Sequence, residues 1–155
     1  MKKVLIANRG EIAVRIIRAC HELGLKTVAV YAKEDEYGVH RFRADEAYQI
    51  GAGKKPIEAY LDMDDIIRVA KQTGADAVHP GYGFLAENEE FAQKCADNGI
   101  IFIGPTVRQL QLFGDKVAAK EVAVKAGLKT IPGTGEPVQS IDEVREFAHT
   151  HGYPI

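Results

Sequence analysis

Several classes of protein are excluded by what the sequence lacks. No apolar run approaches the roughly 20 residues that a membrane-spanning helix needs. The net charge of −2 provides no electrostatic attraction for nucleic acid or for an anionic membrane. The two cysteines, Cys20 and Cys95, lack metal-ligand spacing and fall on apolar helix faces, which favours buried free thiols in a reducing compartment. We therefore expect a cytoplasmic protein with no nucleic-acid or membrane partner.

The residues of several common enzyme sites are also missing. Ser140 is the sole serine and is expected to cap a helix, and neither cysteine lies near a histidine in a nucleophile arrangement. A dinucleotide site needs Gly-x-Gly-x-x-Gly after the first strand, where this chain has only Gly10. Residues 51–56 depart from the Walker A loop, because Tyr48 and Lys55 occupy its required glycine and hydroxyl positions. The sequence therefore argues against all three kinds of site.

Short apolar runs alternate with amphipathic segments along the 155 residues. The apolar runs predict strands at 3–7, 26–31, 46–50, 75–78 and 100–103. Helical periodicity and glycine stops predict helices at 10–23, 62–73, 88–96, 106–114, 115–126 and 140–150. Either Asp62 or Asp64 can cap the second of these helices. The alternation predicts an α/β fold with a doubly wound, mostly parallel sheet and helices on both faces.

Three further segments lie between or beyond these elements. The polar composition of 32–43 predicts a surface loop, and the Pro- and Gly-rich stretch 130–139 predicts an exposed connection between domains. Residues 153–155 resemble the beginning of another strand, which would need further chain to supply a sheet. We therefore expect a fragment, or the amino-terminal part of a larger enzyme.

The first predicted helix has two contrasting faces. Apolar residues form one broad face at positions 12, 13, 16, 17, 19, 20 and 23. A narrow charged stripe lies opposite and consists of Glu11, Arg15, Arg18 and Glu22. Four-residue spacing permits Glu11–Arg15 and Arg18–Glu22 ion pairs, and the pattern alone favours a solvated face.

The stretch His79–Asn88 is more elaborate than a strand-to-helix link requires. Gly81 and Gly83 permit backbone angles that side chains disfavour, and they alternate with the aromatic residues Tyr82 and Phe84. In open α/β sheets, ligands bind beyond the carboxyl ends of strands, where this loop is expected. The alternative is a tight turn whose two aromatic side chains pack into the core.

Lys116 follows Asp115 in the first turn of a predicted helix. The unpaired N–H groups at a helix N-terminus favour anions, and a lysine there can hold a phosphate as a point charge. Most surface lysines have no such role, so the spacing alone leaves a phosphate contact and an ordinary surface lysine both open.

Four motifs together resemble the amino-terminal segment of biotin carboxylase. They are Ile6–Ala13, His79–Asn88, Phe102–Pro105 and Phe113–Val117, and the resemblance extends over all 155 residues. Segments 37–47 and 53–62 are more similar to the pyruvate carboxylase branch than to the acetyl-CoA carboxylase subunit. Ala86 is a departure, since serine is expected there in many relatives.

The resemblance implies a Rossmann-like domain at 1–131, followed at 132–155 by a connection and the start of an ATP-grasp domain. It implies that ATP, with Mg²⁺ or Mn²⁺, phosphorylates bicarbonate to carboxyphosphate, whose breakdown delivers CO₂ to a ureido nitrogen of biotin held on a carrier domain. Pyruvate then accepts the carboxyl group to give oxaloacetate. The alternatives are the biotin carboxylase subunit of acetyl-CoA carboxylase and, for the isolated piece, a catalytically inert α/β dimerisation module.

The resemblance also assigns roles to particular residues. It implies that Lys116 contacts the nucleotide and that Tyr82 and Gly83 lie near the biotin pocket. Positions used in biotin carboxylase dimers match Arg15, Arg18 and Glu22, and a pyruvate carboxylase would be a tetramer. Catalytic groups and metal ligands are expected beyond residue 155, so none is assigned within this segment.

Overall fold

A computed structural model describes residues 1–155, which divide into two compact units, Met1–Leu110 and Gln111–Ile155. The strands are β1 (Lys3–Ile6), β2 (Lys26–Tyr31), β3 (Glu46–Gln49), β4 (Ala77–His79) and β5 (Ile101–Phe102). The helices are α1 (Gly10–Glu22), α2 (Val39–Arg43), α3 (Pro56–Tyr60), α4 (Met63–Thr73), α5 (Glu89–Asp97), α6 (Val107–Gly114), α7 (Lys116–Lys125) and α8 (Ile141–His151). None of the helices is long and apolar enough to cross a membrane.

The five strands form one parallel sheet in the order β3-β2-β1-β4-β5. The strand β1 is central, and its Leu5 pairs with Val28 on one side and with Val78 on the other. All three side chains are completely buried, as expected of short apolar strands covered on both faces. The predicted parallel sheet is therefore confirmed.

Each face of the sheet is covered by its own helices. On one face, Val4 and Ile6 of β1 pack with Ile17 and its neighbours on α1. On the other face, Leu5 belongs to a larger cluster that includes Ile66 of α4 and Phe91 of α5. Alternate residues of one strand thus enter opposite cores, which confirms the doubly wound arrangement.

Side-chain caps begin four of the helices as the sequence predicts. The residues Asp62, Asn88, Asp115 and Ser140 accept backbone N–H bonds at the starts of α4, α5, α7 and α8. Asp62, and not Asp64, is therefore the cap of α4. Each of these short side chains satisfies an N–H group that the helix leaves without an internal partner.

Two predictions about the first half of the sheet are wrong. The expected surface loop 32–43 contains a 3₁₀ turn (Lys33–Asp35) and α2, and His40 is buried because α2 packs on α1 and β2. The apolar face of α1 is narrower than predicted, since Ala19 and Leu23 are exposed. The sheet covers only the helix side chains that point at it, so the edge of the apolar face that carries Ala19 and Leu23 remains in solvent, whereas Ile17 at the other edge is buried.

Two further expectations about local structure are wrong. The strand β5 was expected to be buried, but Ile101 is exposed because β5 is an edge strand with β4 as its only neighbour. Residues 153–155 form no strand. A helix that the periodicity did not predict, α3, begins at Pro56, whose fixed φ suits the first turn of a helix.

The second unit contains α7 and α8, joined by a connection in which residues 131–139 are all exposed. The predicted exposure of this stretch is therefore confirmed, whereas its role as a connection between domains stays a prediction. The first unit ends at Leu110, earlier than residue 131, where we expected the first domain to end. That domain boundary stays a prediction.

Candidate functional site

Several polar and aromatic groups of the first unit lie where neighbouring parallel strands end. Asn8 and Arg9 follow β1, Asp35 follows β2, and the loop 80–88 follows β4. Carboxyl ends of adjacent parallel strands meet at one edge of the sheet, which is where open α/β sheets bind ligands. The backbone bond from Ala7 N–H to His79 O, 2.9 Å long, keeps the ends of β1 and β4 together.

Asn8 holds the loop after β4 through its side-chain amide. Its Nδ2 donates to the backbone oxygen of Pro80 at 2.7 Å and to that of Tyr82 at 2.9 Å. Its Oδ1 accepts from the backbone N–H of Arg9 at 2.8 Å. Asn8 is only 3% exposed, so water cannot easily replace these bonds. The first turn of the loop is thereby tied to the end of the central strand.

Gly81 lies between the two carbonyl groups that Asn8 binds. Its φ of +68° is in the left-handed region, and a Cβ there would stand 2.7 Å from Asn8 Nδ2. Its N–H donates to His79 Nδ1 at 3.1 Å, so His79 carries its proton on Nε2. Burial lowers the pKa of His79, which favours this neutral ring near neutral pH. Only glycine fits at position 81 without displacing Asn8.

The two aromatic side chains of the loop have different environments. Phe84 has a positive φ of 39° and packs its ring against the larger core cluster, where it stacks on Tyr60. Tyr82, in contrast, is 65% exposed. The alternative of a tight turn with both rings in the core is therefore correct for Phe84 and wrong for Tyr82. An exposed tyrosine on an anchored loop is available to a ligand.

A charged network supports the ring on which Phe84 stacks. Arg9 Nε donates to Asp35 Oδ2 at 2.6 Å, and a second guanidinium nitrogen binds the other carboxylate oxygen. The Tyr60 hydroxyl donates to Asp35 at 2.8 Å and accepts from the backbone N–H of Ala32 at 3.2 Å. The Arg9 bond lowers the pKa of Asp35, whereas burial raises the pKa of Tyr60. Asp35 is thus a stable carboxylate that binds two donors.

Our reading of the sequence assigned no site role to Asn8, Arg9, Asp35 or Tyr60. The first three follow the ends of predicted strands, the same signal that drew attention to the loop 79–88. A search for polar residues after the carboxyl ends of β1 and β2 would therefore have identified Asn8, Arg9 and Asp35 as candidates. Tyr60 had no comparable signal, because its helix α3 was not predicted and its partners are distant in sequence.

The predicted ligand-binding residues are divided between the two units. Tyr82 and Gly83 are adjacent on the anchored loop, and no atom lies within 4 Å of the place where a Gly83 Cβ would be. Lys116 belongs to the second unit, where it is the first residue of α7. It is exposed, and its ammonium group has no hydrogen bond or ion pair in the structure. Its neighbour Asp115 accepts from Ala118 N–H at 2.8 Å.

The charged stripe on α1 is formed as the spacing predicts. Arg15 lies 3.5 Å from Glu11, and Arg18 lies 3.0 Å from Glu22. These side chains are largely exposed, so each pair contributes only a few tenths of a kcal/mol to the helix. A groove of about 590 Å³ runs beside the stripe between α1 and α2, with Val14 among its apolar lining.

The structure contains no group of three or more His, Cys, Asp or Glu side chains able to hold a metal ion.

Two family models match the chain in succession. The first is the biotin carboxylase N-terminal domain, which matches residues 1–110. The second is the ATP-binding domain of the carbamoyl-phosphate synthase L chain, which matches residues 115–155. The first match covers the whole of the unit that carries the anchored loop and the charged stripe.

Relatives resemble the chain along its entire length. It is 57% identical over 155 residues to pyruvate carboxylase of Bacillus subtilis (strain 168) and 55% identical to the mitochondrial pyruvate carboxylase of Rattus norvegicus. All of the chain is covered in both comparisons, but only 14% and 13% of those relatives. The chain therefore spans about a seventh of the length of the curated relatives that it matches.

Solved structures agree with these relatives in fold. A complete multifunctional pyruvate carboxylase from Rhizobium etli matches with a TM-score of 0.83 and 50% identity over 86% of this chain and 13% of that one. The biotin carboxylase domain dimer of Hydrogenobacter thermophilus 2-oxoglutarate carboxylase, in complex with MgADP, ADP and bicarbonate, matches with a TM-score of 0.92 and 50% identity over 99% of this chain and 33% of that one. The chain belongs to the biotin carboxylase N-terminal domain family.

Proposed function

We propose that this chain is the amino-terminal part of a biotin-dependent carboxylase of the pyruvate carboxylase type. The proposed reaction uses ATP to phosphorylate bicarbonate, and carboxyphosphate then releases CO₂ for transfer to biotin. Biotin, on a carrier domain elsewhere in the protein, supplies a ureido nitrogen that carries the carboxyl group to pyruvate, which becomes oxaloacetate. The observation that carries this proposal is the high identity to pyruvate carboxylases along all 155 residues.

In this proposal, Tyr82 and Gly83 form part of the wall of the biotin pocket. The exposure of the Tyr82 ring and the open space around Gly83 leave room for the bicyclic ring system of biotin. The loop that bears them is anchored at Pro80 and Tyr82 by Asn8, so it presents a defined surface without needing to reorder on binding.

We assign Lys116 to the nucleotide. Its uncompensated ammonium group lies at the N-terminus of α7, where backbone N–H groups also favour an anion, and this suits a phosphate group of ATP. The ATP-binding family model begins beside it, at residue 115. A divalent cation, Mg²⁺ or Mn²⁺, would neutralise phosphate charge during transfer, and we expect its protein ligands outside residues 1–155.

We further propose that the enzyme is a homo-oligomer in which α1 contributes to a dimer interface through Arg15, Arg18 and Glu22. Their exposed charges next to an apolar groove give a surface on which a second subunit can form both ionic and apolar contacts. The similar Hydrogenobacter thermophilus domain is described as a dimer. A pyruvate carboxylase would add a second level of assembly to give a tetramer.

A different carboxyl acceptor is the second candidate. The biotin carboxylase domain of a 2-oxoglutarate carboxylase is 50% identical to this chain, nearly as similar as the pyruvate carboxylases. The biotin carboxylase subunit of acetyl-CoA carboxylase is a further alternative. All three readings share the same use of ATP, bicarbonate and biotin, so they differ only in chemistry that other domains perform.

The full-length biotinylated protein tests this function directly. It should cleave ATP only when bicarbonate is present, and it should form oxaloacetate from pyruvate. Equal amounts of pyruvate, 2-oxoglutarate and acetyl-CoA, supplied separately with labelled bicarbonate, identify the acceptor. Label fixed with 2-oxoglutarate or acetyl-CoA but not with pyruvate would overturn the proposed acceptor.

The piece comprising residues 1–155 provides a second test. We expect it to show no bicarbonate-dependent ATP hydrolysis, because the catalytic groups are assigned to other parts of the protein. Clear turnover by the purified piece would contradict this assignment.

A further inference from the structure

The anchoring of the loop 80–88 is unequal along its length. Its middle is held by the Phe84 ring, which is packed on the larger core cluster. The segment between Gly81 and Gly83 has no such packing, because the Tyr82 side chain is exposed and the glycines have none. The position of this segment therefore depends on its backbone contacts.

Two side chains bind that backbone: His79 Nδ1 accepts from Gly81 N–H at 3.1 Å, and the larger number of contacts comes from Asn8. Asn8 follows the central strand β1, and its single amide nitrogen binds the carbonyl oxygens on both sides of Gly81, at 2.7 and 2.9 Å. Both amide hydrogens are used, and its Oδ1 is occupied by Arg9 N–H, so the amide cannot flip without losing all three bonds. A Cβ at position 81 would stand 2.7 Å from Asn8 Nδ2, so this close approach requires glycine there.

From this geometry we propose that Asn8 is a positioning residue for biotin: its amide fixes the main chain at Tyr82 and thereby fixes where the Tyr82 ring and Gly83 meet the ligand. The inference rests on the proposed function, which assigns Tyr82 and Gly83 to the biotin pocket. Asn8 itself is buried and touches no ligand in this account. Its contribution is to spare the loop the cost of ordering when biotin binds.

Replacement of the amide by a carboxylate isolates this contribution. Asn8→Asp has nearly the same shape, but an ionised carboxylate cannot donate, and it would repel the two carbonyl oxygens that Asn8 binds. Asn88→Asp is the matched control at the other end of the same loop. The Asn88 side chain accepts from Phe91 N–H at 2.7 Å as a helix cap, and an aspartate accepts equally well.

The experiment uses the full-length enzyme in unbiotinylated form, with free biotin as the probe and bicarbonate-dependent ATP cleavage as the readout. We expect Asn8→Asp to raise the KM for biotin about tenfold or more, the order of effect when buried carbonyl groups lose their donor, while the KM for ATP changes less than about twofold. Asn88→Asp should leave both constants within about twofold. A purely structural role would lower kcat and shift both KM values together.

Two further variants, Gly81→Ala and Tyr82→Ala, complete the test of the proposal. If Asn8→Asp does not fold, Gly81→Ala replaces it, because the new methyl group displaces the Asn8 amide from the other side and should give the same selective rise in KM for biotin. Parallel loss of ATP cleavage with and without biotin, in the variant that folds, would overturn the inference.

Tyr82→Ala separates this inference from the function on which it rests. If Tyr82→Ala alters the KM for biotin and neither Asn8→Asp nor Gly81→Ala does, the positioning role fails alone; if Tyr82→Ala has no effect, the pocket assignment fails with it.

Discussion

The rings of Tyr60 and Phe84 stack with their centroids 5.2 Å apart and an angle of 23° between their planes. Tyr60 ends α3, whereas Phe84 lies in the loop after β4, so the stack joins two segments that are far apart in the sequence. Phe84 adopts a positive φ, which is unfavourable for a bulky residue and persists only when surrounding contacts hold it. The stack on Tyr60 is one of the contacts that hold it.

The Tyr60 hydroxyl should contribute to stability separately from the ring. Tyr60→Phe keeps the stack but leaves the buried N–H of Ala32 without its partner and removes one donor from Asp35. We expect the free energy of unfolding, measured by urea denaturation, to fall by about 1–3 kcal/mol. Tyr37→Phe is the control, since Tyr37 is 82% exposed, and it should change stability by less than about 0.5 kcal/mol. Equal effects of the two substitutions would show that the Tyr60 hydroxyl bonds contribute nothing.

A methyl group at position 81 should be more harmful than the backbone angle alone explains. Gly24→Ala is the matched control, because Gly24 has nearly the same φ, +70°, with no atom within 4 Å of the new Cβ. We expect Gly24→Ala to cost about 1–2 kcal/mol in the free energy of unfolding. Gly81→Ala should cost at least about 1 kcal/mol more, since Asn8 must move and two carbonyl groups lose their donor. Identical losses would mean that Asn8 adjusts freely.

Stability in acid should depend on Asp45. Its carboxylate accepts from Lys26 Nζ at 2.7 Å, from the Thr27 hydroxyl at 2.8 Å and backbone N–H at 2.9 Å, and it contacts His21 at 3.1 Å. The Lys26 bond, followed by the bonds from Thr27 and His21, lowers the pKa of Asp45 well below its usual range. A carboxyl group whose pKa is lower in the folded state stabilises the protein above its unfolded pKa, and this contribution disappears as pH falls through the folded value.

Asp45→Asn should therefore reduce the free energy of unfolding near neutral pH by about 1 kcal/mol or more. The difference from the unsubstituted protein should shrink as pH falls below about 4, where Asp45 itself begins to be protonated in the unfolded chain. Urea denaturation at several pH values measures both effects. Asp142→Asn, at an exposed pair with Arg145, should show a difference below about 0.5 kcal/mol throughout. A constant deficit for Asp45→Asn at every pH would contradict the prediction.

Charge reversal on α1 should weaken the proposed dimer. Arg18→Glu places two like charges beside each other at positions 18 and 22, yet it costs the helix only a few tenths of a kcal/mol, so the fold should survive. Sedimentation velocity of the full-length enzyme at low concentration should show more of the smaller species. Arg68→Glu makes the same change on α4, where Arg68 pairs with Asp65, and should leave the distribution unaltered. An unaltered sedimentation profile for Arg18→Glu as well would show that the charged stripe is an ordinary solvent-exposed surface and not part of a dimer interface.

Removal of the Lys116 ammonium group should weaken the use of ATP by the full-length enzyme. We expect Lys116→Ala to raise the KM for ATP about tenfold or to lower kcat similarly, because a charged contact to phosphate is lost. Lys125→Ala is the control from the other end of α7, where Lys125 pairs with Glu121 on the surface. Unchanged kinetic constants for Lys116→Ala would remove this residue from the nucleotide site.

The sequence alone predicted the elements whose signals are local. The predicted bounds of strand β1 and helix α1 were correct to within a residue at each end, because apolar periodicity and the glycines at 10 and 24 lie within or next to these segments. The helix α2 and the turn before it were missed, because His40 is buried by contacts with α1 and β2 that the polar segment 32–43 does not reveal.

The same distinction applies to the candidate site. The parallel α/β fold and the loop His79–Asn88 could be predicted from apolar periodicity and turn residues, which are properties of consecutive residues, and the family from the resemblance of the quoted motifs. The three-dimensional structure was needed to show that Asn8 binds the start of this loop and that Arg9, Asp35 and Tyr60 support its middle at Phe84. These contacts join residues separated by about 25 to 74 positions, and such pairs meet only when parallel strands bring their carboxyl ends to one edge of the sheet.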